Sequence, residues 1–144
     1  MLYISRPMLG IFDNLGHMHV GYLGFDFFTV QPIQADVYFF RSIFHNWADK
    51  HCIKILQNLI PALEPGARAV IHEGILPGLE GLSTADARRA INLHIGMQQL
   101  LNAQKREMHE WPELFRRADP RFRYVGAKKP TGAMRWIIEA EWQE

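Results

Sequence analysis

Cysteine is almost missing from this sequence. Its 144 residues contain one, Cys52, so no disulfide can close within the chain, which fits a reducing compartment. Long apolar runs are missing too, and none approaches the roughly 20 residues of a membrane-spanning helix. The first ten residues, MLYISRPMLG, lack the basic start and apolar stretch of a secretory signal. Charge of one sign is not in excess: 16 Lys and Arg against 15 Asp and Glu leave +1, which makes no case for nucleic acid. What is present is 48% hydrophobic, 22% charged and 12% aromatic, a profile that excludes disordered, collagen-like and disulfide-scaffold chains. The expectation is one soluble, cytoplasmic domain with neither a membrane nor a nucleic acid as partner.

The chain divides near residue 25. Before it, Gly10, Gly16, Gly21 and Gly24 punctuate a Met- and aromatic-rich segment in which no period holds for long, read as short extended pieces joined by turns. After it, Ala35-Asp-Val-Tyr-Phe-Phe40 reads as a strand buried on both faces. Cys52, Ile55, Leu56, Leu59, Ile60 and Leu63 follow at helical spacing, closed by Pro65-Gly66. Arg68 to Glu73 reads as a second buried strand. Ser83-Thr-Ala-Asp86 resembles a helix N-cap, with helix to about Leu101, and a shorter helix follows Pro112. Phe122–Val125 and Met134–Trp142, joined by a Lys-Lys-Pro-Thr-Gly turn, form a β-hairpin. This order predicts an α/β fold whose parallel sheet ends in an antiparallel pair.

Ligands of open α/β sheets bind beyond the carboxyl ends of the strands. His45 falls just after the first of these strands and Glu73 ends the second. On neighbouring strands both side chains can face one crevice, where a carboxylate can fix the tautomer of a histidine acting as general base. The bland alternative is a histidine that caps the following helix.

These residues also resemble a family. The stretch Ala35 to Asn58, with His45-Asn-Trp-Ala-Asp49 inside it, is similar to the plant and fungal O-methyltransferases that use S-adenosylmethionine (SAM). So are Pro65-Gly66, Ala69-Val-Ile-His-Glu-Gly-Ile-Leu-Pro77, Glu110-Trp111, Ala118–Phe122 and Ile137–Trp142. The resemblance covers the catalytic, C-terminal half of the family and runs from about Gly24 to the end. It implies a Rossmann-like sheet, with His45 taking the proton of a substrate hydroxyl and Glu73 flanking it. It implies that Asp26, Phe27 and Arg41 line the cofactor site, and it places the acceptor pocket near Trp47, Met97, Leu101, Met108 and Trp111, where a flat aromatic or polyketide-like molecule would fit.

The departures shape the expected function. The family's glycine-rich cofactor loop, the acidic residue for the ribose hydroxyls and the N-terminal dimerisation domain have no counterpart in these residues. Asn46 stands where the family has aspartate. Counting back from Glu110-Trp111 puts Lys105 at the family's second flanking glutamate, with Glu107 two residues on. Methyl transfer needs an oriented donor. The first expectation is therefore an enzyme of small-molecule metabolism that no longer methylates and needs no cofactor. It would use His45 with Glu73 for cyclisation, dehydration, isomerisation or hydrolysis. A SAM-dependent O-methyltransferase acting on a phenolic hydroxyl is the alternative, and a non-catalytic partner subunit the third reading. Losing the glycine-loop strand would expose the edge beside residues 35–40. Residues 1–25 are expected to cover that edge or to lie in a homodimer interface, leaving 26–144 as the α/β domain. His17-x-His19 lacks further ligands for a metal, so none is expected.

Overall fold

The computed structural model describes residues 2–5, 26–75, 83–85, 88, 91–92, 95 and 106–144. An open, mixed five-stranded sheet is built from β1 (Leu2–Ser5), β2 (Val37–Arg41), β3 (Arg68–Glu73), β4 (Phe122–Lys128) and β5 (Trp136–Trp142). The spatial order is β1-β2-β3-β5-β4. The central pair β2–β3 is parallel, with Phe40 opposite Ile71 and Arg41 opposite His72. β5 lies antiparallel to β3 and forms the expected hairpin with β4. On the far flank β1 runs antiparallel to β2, Leu2 opposite Phe40.

Alternation decides which face of the sheet is core. Tyr38 and Phe40, Ala69 and Ile71, and Ile138 and Ala140 are all buried, joining one cluster with the helices. Helix α1 (Asp49–Gln57) contributes Cys52, Ile55 and Leu56 to that cluster. Helix α2 (Glu110–Ala118) contributes Trp111, Leu114 and Phe115. Glu110 and Glu113 sit in the first turn of α2 and Arg116 and Arg117 in its last, matching the helix dipole.

Two helix boundaries differ from the sequence reading, and both trace to proline; the strands shift as well, β2 to Val37–Arg41, the end of β4 to Lys128 and the start of β5 to Trp136. The helix expected to run to Pro65 stops at Gln57 and resumes as a 3-10 turn, Ile60–Ala62. Pro61 has no N–H to bond the Gln57 carbonyl, so the α-helical ladder cannot pass it. Helix α2 begins two residues before Pro112, not after it. Proline there falls in the first turn, where its N–H would lack an intrahelical partner anyway. In the stretch expected to be helix from Ser83 to Leu101, residues 84–85, 88, 91–92 and 95 are helical.

Hydrogen bonds tie the segment before β2 to the core. The Asn58 amide nitrogen donates to the Phe27 carbonyl at 3.2 Å, and the Asn58 carbonyl accepts the Gln31 N–H at 2.9 Å. The buried Tyr38 hydroxyl accepts the Ala35 N–H at 3.0 Å and lies 2.8 Å from the Ala62 carbonyl. In the hairpin, the register shifts between Tyr124 and Gly126, where a φ of 152° is a conformation glycine adopts and L side chains rarely do.

Candidate active site

The parallel pairing of β2 and β3 sets two loops side by side at their carboxyl ends, and His45 and Glu73 meet there. His45 lies in a 3-10 turn, Phe44–Asn46, between β2 and α1. Its Nδ1 is 2.6 Å from Glu73 Oε2. The other carboxylate oxygen, Oε1, accepts the Phe44 N–H at 3.0 Å. One carboxyl group thus holds both the ring and the backbone that carries it. Glu73 is 1% exposed while the His45 side chain is 22% exposed, so the acid is walled in and the base reaches the surface.

With Glu73 ionised, this geometry selects one tautomer. An ionised carboxylate only accepts, so the proton between the two groups belongs to Nδ1 in the neutral ring. The lone pair is then on Nε2, which has no hydrogen-bond partner among the described residues. A histidine held this way can take a proton at Nε2 while Glu73 balances the charge that appears on the ring.

The turn is held from its start as well. Ser42 has a φ of 57°, a left-handed conformation that costs a non-glycine residue about 1–2 kcal/mol. Three contacts hold it: the Ser42 N–H donates to the His72 carbonyl at 3.2 Å, the Asn46 side-chain amide donates to the Ser42 carbonyl at 3.4 Å, and Arg135 donates to the Ser42 hydroxyl. The Asn46 contact gives the departure from aspartate a physical meaning, because an ionised aspartate has no proton to donate.

Arg106, which the sequence reading passed over, is the largest buried polar group near this turn. It donates to Asp49 Oδ1 from Nε at 3.1 Å and from Nη2 at 2.8 Å, and to the carbonyls of Phe44 at 3.0 Å and Trp47 at 3.2 Å. The other Asp49 oxygen accepts from Arg117 at 2.7 Å. Burial pushes the Asp49 carboxyl up, but the hydrogen bonds and charges of Arg106 and Arg117 outweigh it and hold the group below its ordinary 3.8. Cys52, fully buried beside them, has its thiol pushed up to about 11 by burial, against the pull of Arg106. It is a small core residue, not a nucleophile. The only sequence signal for this hub was Asp49 itself, the acid that closes the His-Asn-Trp-Ala-Asp motif.

The other expected site residues have the following surroundings. Asp26 is exposed, and its Oδ1 accepts the Phe28 N–H at 2.9 Å. Phe27, Phe28, Trp47 and His51 form a half-buried aromatic cluster, with Phe28 and Trp47 centred 4.7 Å apart. His51 belongs to that cluster through contacts with Phe28 and Trp47. Arg41 is exposed at the end of β2. Trp111 requires a correction: expected to line an acceptor pocket, it is 1% exposed and packed between Phe44 and Phe115, so it presents no surface to a ligand. Apolar helical residues carry the same signal whether they line a pocket or fill a core. Met108 receives a 3.7 Å contact from the Tyr124 hydroxyl. Glu107 does not reach His45; its carboxylate lies 3.5 Å from His109 Nδ1. His72 stacks on Phe39, on the sheet face opposite Glu73. Met97, Leu101, Lys105, His17 and His19 lie outside the described residues. Among the described residues there is no cluster of three or more metal-ligating side chains, and no helix is long and apolar enough to cross a membrane.

An open α/β sheet with strand order reversing beside β3 and a histidine–glutamate pair at the strand ends defines a Rossmann-like methyltransferase fold. The chain belongs to the O-methyltransferase domain family, whose model matches residues 11–120. It is 45% identical over 124 residues to the grayanic acid biosynthesis cluster O-methyltransferase of Cladonia grayi, covering 86% of this chain and 28% of that protein. It is 46% identical over 120 residues to the chlorophenol O-methyltransferase of Trichoderma longibrachiatum, covering 83% of this chain and 26% of the relative. Among solved structures, LepI in complex with SAM matches with a TM-score of 0.70 at 27% identity, over 83% of this chain and 29% of that one. The chain therefore spans between a quarter and a third of the length of these relatives. These matches overturn the expectation that no cofactor is involved: the family is one of O-methyltransferases, and a solved member of this fold was captured with SAM.

Proposed function

We propose that this chain carries the acceptor-activating part of a SAM-dependent O-methyltransferase of secondary metabolism, acting on a phenolic or polyketide-like hydroxyl. The observation that carries the reading is the 2.6 Å contact between His45 Nδ1 and buried Glu73, which leaves Nε2 without a partner among the described residues. His45 takes the hydroxyl proton at Nε2, and Glu73 stabilises the imidazolium without accepting a proton of its own. The names of the relatives, one a chlorophenol O-methyltransferase, support a flat aromatic acceptor.

The residues present fit the cofactor. Asp26 offers a carboxylate oxygen without a partner among the described residues, Phe27 a half-buried ring, and Arg41 an exposed cation with no ion pair among them. An acceptor, an apolar surface and a cation suit a nucleoside bearing amino and carboxylate groups, and these three residues would hold it. When bound, SAM supplies an electrophilic methyl group. Trp47, in contact with Phe27 and Phe28, would border the acceptor on the same side. The pairing of β1 with β2 supports residues 1–25 as cover for the sheet edge, and a homodimer through that segment belongs to the same proposal; light scattering showing a stable monomer at micromolar concentration would remove it.

The test is transfer of a labelled methyl group from SAM to a panel of chlorinated and unsubstituted phenols. Label should appear in the phenol ether and fall roughly 100- to 10,000-fold in His45→Gln, the range of general-base contributions. Transfer that survives this substitution would refute the role of His45.

A further inference from the structure

We propose that Arg106 is a positioning residue for His45, a buried fork that holds the turn carrying the base against Glu73. The inference deepens the reading of His45 given above and rests on it for its catalytic consequence, though not for its structural one.

An arginine side chain that is 1% exposed has given up its hydration, which costs several kcal/mol unless every donor finds a partner. The partners of Arg106 are not spread over the core. Nη1 and Nη2 donate to the carbonyls of Phe44 and Trp47, the two residues that bracket His45 and Asn46. Nε and Nη2 share Asp49 Oδ1 at the start of α1, and the Cys52 sulfur lies 3.3 Å from Nη2. The guanidinium carbon sits 5.7 Å from the centre of the Trp111 ring, itself in contact with Phe44. Every one of these groups belongs to the His45 turn, to the helix that follows it, or to the residue packed beneath it.

The turn is consequently held from two directions. Glu73, on β3, takes the Phe44 N–H and the His45 ring; Arg106, from the segment before α2, takes the carbonyls on either side. Asp49 anchors the arginine and is itself tied to α2 through Arg117. With Arg106 removed, the carbonyl side of the turn can pivot about the contacts that Glu73 and Ser42 make. A displacement of about 1 Å at a reacting group costs on the order of 100-fold in rate. Lysine cannot replace the fork, because its compact ammonium lacks the planar array that reaches a carboxylate and two carbonyls at once.

The test compares Arg106→Lys and Asp49→Asn with the unaltered 144-residue protein. The readout is the proton NMR resonance of His45 Nδ1–H, assigned by its loss in His45→Gln, and its exchange with water. In variants that keep the circular dichroism spectrum and cooperative unfolding, this proton should exchange about tenfold faster or broaden away. Methyl transfer should lose roughly 100-fold in kcat, with KM changed less than about twofold. If Arg106→Lys does not fold, Asp49→Asn is read alone. A sharp resonance exchanging at the original rate in the folded variants would overturn the proposal and leave Arg106 as a tie between helices. If the unaltered chain transfers no methyl group, the reading of its function fails while the resonance still decides the role of Arg106.

Discussion

Glutamate and arginine do two different jobs in this molecule, and the turn after β2 and the β4–β5 hairpin show the difference. Around the turn, Glu73 and Arg106 are each 1% exposed and use their charged atoms on backbone and side-chain partners. On the hairpin, Glu141 accepts from Arg123 at 3.0 Å and lies 3.8 Å from Arg68, with the arginines about half exposed. The contact distances are similar, but each pair at the turn has one member shut away from water, whereas both hairpin pairs use an arginine that stands about half in it. Exposed pairs contribute little, whereas breaking a buried one leaves an uncompensated charge. The hairpin charges keep a sheet surface solvated; the buried ones hold the turn that carries His45.

Glu73→Ala should break this contrast most severely. It strips the Phe44 N–H and the His45 ring of their shared partner, and denaturant unfolding should show a loss of about 1–3 kcal/mol, the cost of a buried donor left unpaired. A loss below about 1 kcal/mol would place Glu73 with the hairpin charges. A smaller effect is expected from acid. The Asp49 carboxyl is held below its ordinary 3.8 in the folded chain, so its stabilisation is complete above that pH and drains away as the pH falls through the lower, folded value. Asp49→Asn should flatten the acid limb of a stability–pH curve and leave the region above pH 5 parallel to the original. The smallest change belongs to the hairpin: Arg123→Ala should move the melting temperature by no more than about 2 °C and leave methyl transfer unaltered.

The same division explains what could be read from sequence. The Arg68–Glu73 strand was legible residue for residue, because the seven residues between Pro65-Gly66 and Gly74 allow little else. His45 and Glu73 were legible because strand ends in an α/β sheet face one crevice, and because a motif marked them. Arg106 was not. Its partners Phe44, Trp47 and Asp49 lie 57 to 62 residues away, and no periodicity records a contact made by a fork of N–H groups. Trp111 was misplaced for a related reason: hydrophobicity says that a ring is buried but not whether protein or ligand buries it. The cofactor expectation failed differently. It was drawn from a glycine loop missing from these residues, while the family match and the SAM complex of a structural neighbour speak for the fold as a whole.

The central claim is that Glu73 fixes His45 with its proton on Nδ1 and its lone pair on Nε2. Long-range proton–nitrogen NMR correlations of the imidazole, recorded on the protein above the pH at which the ring is neutral, measure this directly. The account predicts a single tautomer carrying the proton on Nδ1. A proton resting on Nε2, or a mixture of tautomers like that of a free histidine, would contradict it.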